Sequence, residues 1–198
     1  ALKHLQKMPD RFPDSPETLK ALYLLGLDAT RDRRSPEGKV ITRKDLTLAI
    51  DRFQELETRY ERLLAFDALP KNSLPEWEEI KNRAMLKRAD VLFRIAEQAQ
   101  GAKQQIYLGY AEEIYKKLLD SPFSTEVQFA LASTWLKQNQ LEKARTGFQN
   151  LVEKFPKNSE NYYLALSYKA LGDLALKEGR SKKATEYFQL ALSSGKNL

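Results

Sequence analysis

Residues 131–151, LASTWLKQNQLEKARTGFQNL, and residues 171–191, LGDLALKEGRSKKATEYFQLA, carry one phrase in two copies. Leu131-Ala132, Trp135, Ala144, Phe148 and Leu151 stand at the same mutual offsets as Leu171-Gly172, Ala175, Ala184, Phe188 and Ala191. In each copy a small residue precedes the later Ala by twelve positions, and an aromatic follows that Ala by four. Apolar positions at this spacing belong to helices. A fixed offset set that recurs along a chain marks stacked two-helix units, none of which buries its apolar face alone.

The phrase extends towards the N-terminus with longer spacing. Ala89 precedes Ala111, Tyr115, Leu118 and Pro122, with 22 residues between the two alanines; Leu25-Gly26 precedes Ala49, Phe53 and Leu56, with 23 between Gly26 and Ala49. Ala1, Leu5 and Met8 leading into Phe12-Pro13 match Ala144, Phe148 and Leu151 leading into Phe155-Pro156, so the segment is expected to open halfway through a unit. All eight prolines fall between or at the edges of the apolar-periodic stretches, where their missing N–H and restricted neighbours are tolerated. The periodicity predicts nine helices near 1–8, 16–31, 42–67, 76–98, 102–120, 123–137, 141–154, 159–178 and 181–194, and no convincing strand. Ser15 before Pro16-Glu17 reads as an N-cap followed by a first-turn Pro and an acid at the positive end of the dipole. Ser73-Leu74-Pro75-Glu76 is a weaker version, and Gly179 supplies a left-handed helix end. Gly109 and Gly147 fall inside predicted helices, where each costs about 1 kcal/mol against Ala. Close helix approach or plain tolerance would account for them.

These residues resemble the tetratricopeptide repeat, W-x2-L-G-x2-Y…A-x3-F…P over about 34 residues. The likeness is strong over 125–194, moderate over 76–122 and loose over 1–67. Ala175 stands where the pattern has Tyr, and no Pro follows Phe188. Ala111 and Ala144 are 33 apart but Ala144 and Ala184 are 40, which puts the extra residues in 157–163. The resemblance implies an all-α, right-handed α-solenoid of antiparallel helix pairs, one repeat domain over 1–198, two of whose units have elongated helices or insertions. Its parts are a half unit at 1–13 and units at 16–67, 76–122, 123–156 and 159–194, expected to belong to a longer chain. It also implies that Gly26, Ala89, Ala132 and Gly172 face Ala49, Ala111, Ala144 and Ala184, and that Phe53, Tyr115, Phe148 and Phe188 are core. A narrower likeness joins Arg11-Phe12-Pro13-Asp14-Ser15-Pro16-Glu17 and Ala21-Leu22-Tyr23-Leu24-Leu25-Gly26 to bacterial envelope repeat proteins, though cytoplasmic ones share those features. It leans the compartment towards periplasm or cell envelope, with cytoplasm the alternative.

Composition narrows the function. The apolar fraction of 42% supports a continuous core, and the longest apolar run, residues 21–27, is far short of a membrane span of ~20 residues. With no cysteine there is no disulfide, thiolate metal site or cysteine nucleophile. The net charge of +6 is spread thinly: Lys and Arg against Asp and Glu number 13 to 12 over 1–70, 9 to 8 over 71–120 and 11 to 7 over 121–198. A nucleic-acid binder shows a basic stripe with few interleaved acids. Here charges alternate at i,i+4 spacing, as in Glu112-Glu113 and Lys116-Lys117.

No metal spacing, phosphate-cradling loop or Ser-His-Asp order appears. His4 is the sole histidine, and adjacent carboxylates such as Glu78-Glu79 diverge around a helix. The reading is therefore no enzyme, no cofactor, no metal and no small-molecule substrate. The resemblance instead implies a concave groove, lined by the first helix of each unit, that takes a peptide or partner helix. Carried over by position, that face holds Lys20, Tyr23, Leu27 and Thr30; Arg83, Leu86, Asp90, Phe93 and Arg94; Glu126, Phe129, Ser133 and Leu136; and Leu166, Lys169, Asp173 and Leu176. Tyr23, Phe93 and Phe129 either bind there or pack against neighbours. The clamp that similar repeats use on carboxylate tails is excluded, since Asp173 stands where it needs Asn. The expected role is a protein-interaction scaffold or adaptor, in bacterial envelope assembly on the narrower likeness, with self-association through bare repeat ends. The alternative is single-stranded nucleic-acid binding, for which Phe93-Arg94 is the one good pairing. The polar insertion 31–44 is either an anchoring loop or a solvated connector, the latter favoured because Asp32 and Glu37 dilute its charge.

Overall fold

The computed structural model describes residues 2–34, 40–156, 159 and 161–195. Contacts divide the chain into two compact units, 1–114 and 115–198.

The first unit holds α1 (Leu2–Leu5), α2 (Met8–Arg11), α3 (Glu17–Ala29), β1 (Arg33–Arg34), β2 (Val40–Thr42), α4 (Leu46–Ala65), a 3-10 turn at Lys71–Ser73 and α5 (Leu74–Gln98). The division falls inside α6 (Gly101–Lys117). The second unit continues with α7 (Ser124–Lys137), α8 (Leu141–Glu153), α9 (Tyr162–Lys177) and α10 (Ser181–Ser194). The architecture is all-α in helix pairs, as the repeat phrase requires, with one short ribbon added.

Pairing is antiparallel, and the partners show it. Along α3 and α4, Tyr23 meets Phe53 at 6.1 Å between ring centroids, while Asp14, just ahead of α3, takes Arg62 at 2.6 Å. Along α4 and α5, Lys81 lies 4.9 Å over the Tyr60 ring and Arg88 reaches Glu57 at 2.9 Å. Leu19, Leu22, Phe53, Leu56, Tyr60, Trp77, Ala84 and Val91 form one core cluster of the first unit. In the second, Ala132, Ala144, Phe148, Leu171 and Leu174 form another. The motif residues Ala49, Ala89, Ala111, Ala132, Ala144 and Ala184 are all 0% exposed, because only a methyl fits where two helix backbones approach. Phe53, Tyr115 and Phe148 are buried, but Phe188 is only half-buried, since α10 packs on α9 and on no other helix among the described residues.

Three expectations need correction. The first predicted helix is two single turns separated at Gln6-Lys7, because Pro9 lies in the first turn of α2 and cannot donate backwards. Those turns are held by α4, whose Arg59 donates to the carbonyls of Pro9 and Pro13 at 3.1 and 3.0 Å. Ser15 does not cap α3; its hydroxyl donates to the Glu17 carboxylate, which that bond holds below the ordinary carboxylate range. Finally, the stem of the 31–44 insertion is an antiparallel ribbon pairing Arg33 with Thr42 and Arg34 with Val40, closed by Lys44 N–H donating to Asp32 at 2.9 Å. The ribbon is a strand pair where the periodicity predicts none. Residues 35–39, the centre of that insertion, lie outside the described residues, as do 157, 158 and 160 of the expected extra stretch.

Helix ends follow one rule three times. Asp67, Asn139 and Gly179 take φ of 51°, 61° and 73°, and the next residue's N–H reaches five positions back, to Leu63, Trp135 and Ala175 at 2.8, 2.8 and 2.9 Å. Asn139 and Gly179 are 40 residues apart, the same step as Ala144 and Ala184. The turn is thus part of the repeat.

Candidate functional site

In each unit the first helices of successive pairs touch: α3 meets α5, and α7 meets α9. These two contacts define the faces on which the expected groove residues lie.

On the α7–α9 face, Phe129 packs at 5.7 Å from Phe148 and 5.8 Å from Tyr163, and stays half-buried. Tyr162 stacks edge-on against Tyr163 at 5.4 Å and is 55% exposed. Asn161 starts α9, its side-chain oxygen accepting from the N–H groups of Tyr163 and Leu164 at 2.9 and 3.2 Å. Leu136 is partly buried against the core, and Ser133 donates to the Phe129 carbonyl at 2.8 Å. Glu126 is half-buried, as is Leu166, while Leu176 is exposed. Lys169 and Asp173 pair with each other at 3.0 Å on the exposed rim. That pairing neutralises the ammonium, a second reason against recognition of a carboxylate tail.

On the α3–α5 face, Lys20 bonds Glu76 at 2.6 Å and sits 4.7 Å over the Trp77 ring, so it ties the two helices together. Tyr23 and Leu27 are partly buried against the core. Thr30 ends the helix, its hydroxyl donating to the Leu27 carbonyl at 2.7 Å. Arg83 pairs with Glu79 at 2.7 Å and Asp90 with Lys87 at 3.0 Å. Phe93 and Arg94 are half-buried. Leu86 is 2% exposed and offers nothing to a ligand; among the groove assignments it is core. Lys20, Arg83 and Lys169 each pair with a carboxylate of the chain.

Sequence reasoning missed Tyr162, Tyr163 and Trp77. The signal for the two tyrosines was Asn161, a strong N-cap placed directly before them. It also missed a cleft of ≈ 500 Å³ on the α7–α8 hairpin, whose floor includes Leu131, Trp135 and Gly147. Gly147 has a packing reason: a Cβ there would lie 2.9 Å from the Ala132 methyl and 3.2 Å from the Trp135 ring. Gly109 has none, with nothing within 4 Å.

Among the described residues no group of three or more His, Asp or Glu is placed to hold a metal ion. No helix of the described residues is long and apolar enough to cross a membrane.

A family model described as "Tetratricopeptide repeat" matches residues 126–158. Among solved structures, the chain is similar to MamA 41-end from Desulfovibrio magneticus RS-1, at 16% identity and a TM-score of 0.57, over 98% of this chain and 82% of that one. It is similar also to the MamA RS-1 ArsTM double mutant, at 16% identity and a TM-score of 0.56 over the same shares. Likeness at that identity is one of fold. No curated protein matches the chain.

Proposed function

We propose that this tetratricopeptide-repeat protein is a protein-interaction scaffold that docks a peptide or a partner helix on its first-helix faces. The observation that carries this is the α7–α9 contact, where Phe129 and Leu136 pack partly exposed on the core and the Tyr163 ring lies 5.8 Å from that of Phe129. Such a floor of rigid aromatic and aliphatic side chains, edged by the Lys169–Asp173 pair, suits the apolar stripe of an amphipathic segment. The α3–α5 face offers Tyr23 and Leu27, partly exposed over the core of the first unit. Aromatics held on helices lose little entropy when a partner covers them, and this favours a recognition role. A setting in bacterial envelope assembly rests on the resemblance of residues 11–26 alone.

The test is site-specific photocrosslinking in the native host, with a photoreactive residue placed at Ser133, at Asp173, or at Lys182 on α10 as the control. Capture of the same protein from the first two positions and not from the third supports docking on the α7–α9 face. Capture equal at all three, or capture released by nuclease and lost steeply with salt, overturns it in favour of non-specific or nucleic-acid binding.

A further inference from the structure

We infer that the cleft on the α7–α8 hairpin is a second docking site, separate from the α7–α9 face, and that its occupant is an acidic amphipathic helix of a partner protein. The two sites use different stripes of α8. Ala144, Phe148 and Val152 face the core shared with α9, whereas Lys143, Gly147, Asn150 and Lys154 line the cleft at spacings of four, three and four. The floor is apolar: Leu119, Leu131 and the Trp135 indole, which lies against bare backbone because Gly147 has no Cβ.

The occupant follows from shape and charge. The cleft runs along α8 from Lys143 to Lys154, about 16 Å at a helical rise, which is three turns of a docked helix. An extended strand laid on this floor would leave backbone N–H and C=O groups facing Leu131 and Trp135 unsatisfied, whereas a helix satisfies them internally and fits the groove between two helices. The cleft carries a lysine at each end and one acid. Among the described residues Lys154 bonds the neutral Gln128 oxygen at 2.9 Å and Lys143 makes no ion pair, while the exposed Glu142 shares Arg145, at 3.2 Å, with Glu178. A second copy of this chain is a poor fit. Its exposed apolar helix α10, with Leu190 and Leu192, carries Lys182 and Lys183 against Glu186, and the chain as a whole is +6.

The test exploits the two tryptophans. Trp77 is 5% exposed in the first unit, so Trp77→Phe leaves Trp135 as the sole emitter, reporting from the cleft floor. A phage-displayed helical library, randomised on one face and at both ends and long enough to hold a helix (about fifteen residues), is selected on that protein. Enriched peptides are synthesised and titrated. The expected result is enrichment of large apolar residues at i, i+3 or i+4, and i+7 flanked by Glu or Asp. Their binding shifts Trp135 emission and weakens at least tenfold in the Lys143→Glu, Lys154→Glu double variant, with far-UV circular dichroism unchanged. Replacing the acids of the peptide by Lys is expected to restore affinity for the double variant. Enrichment without acids, no enrichment, unchanged Trp135 emission on binding, or affinity indifferent to the two reversals each overturns the proposal. Photocrosslinking at Ser133 and Asp173 reads the other face and is unaffected by either outcome.

Discussion

The Phe188 ring lies across α9 at Gly172, its nearest carbon 2.5 Å from the point where a Cβ would stand. Phe53 meets Gly26 with the same 2.5 Å separation in the first unit. The glycine of the phrase is therefore small to admit the aromatic of the next helix, as well as to bring it near Ala184 or Ala49. Where the first helix carries Ala132 in place of glycine, the second supplies Gly147 immediately before Phe148, and the missing methyl has moved from one helix to the other.

Gly172→Ala therefore runs against the usual helix preference. Alanine in a helix interior gains about 1 kcal/mol over glycine, but forcing a methyl into this contact costs about 1–3 kcal/mol of overpacking. A lowered Tm is expected, recovered in part by Phe188→Leu in a double-mutant cycle. Gly109→Ala is the opposite case: with open space around it, the variant should raise Tm.

The Glu57–Arg88 pair joins α4 to α5 with side chains 17% and 16% exposed. Removing one charge, as in Arg88→Met, takes from the largely buried Glu57 carboxylate its partner on α5 and should cost about 2–4 kcal/mol in urea melts. Changing both, Glu57→Leu with Arg88→Met, should recover most of that loss, and a double variant no better than the single one would refute the account.

Asn161→Ala removes the acceptor for two N–H groups at the start of α9 and should cost about 1 kcal/mol. Asn161→Asp keeps the acceptor and adds a favourable charge at the dipole's positive end, so its Tm should match or exceed that of the parent.

Alkaline pH should weaken both units. Burial pushes the Tyr60 hydroxyl above its ordinary 10.0, with Glu78 and Glu61 adding to it, and burial followed by Tyr187 does the same to Tyr168. A group whose folded pKa is raised holds its proton more tightly when folded, so the contribution is intact below 10 and is lost as pH rises through the folded value. Denaturant midpoints should fall above pH 10, and the fall should be shallower in a Tyr60→Phe, Tyr168→Phe variant.

Much of the helical plan was legible because small residues and aromatics recur at offsets that only a packed helix pair requires. Ala132, Ala144 and Phe148 announced their own burial, and Gly179 its helix end. Residues 1–13 misled for a local reason: the offsets matched a second helix, but Pro9 breaks the hydrogen-bond ladder there. The ribbon at 33–34 and 40–42 was illegible because two and three residues carry no alternation to detect. Leu86 was placed on the groove because motif position gives a helix face but not how deeply a neighbour covers it. Tyr162 and Tyr163 stand at the start of α9, outside the motif positions, and only the packing sets Tyr163 against Phe129.

The residue pattern by itself determined that the chain is built of antiparallel helix pairs, since period, small-residue spacing and punctuation by proline are local or nearly local properties. Only the tertiary structure decided which lysines are spoken for by carboxylates, where Gly147 lets an indole approach the backbone, and that a cleft with a lysine at each end opens beside it. Those depend on distances between side chains far apart in sequence, which no periodicity encodes.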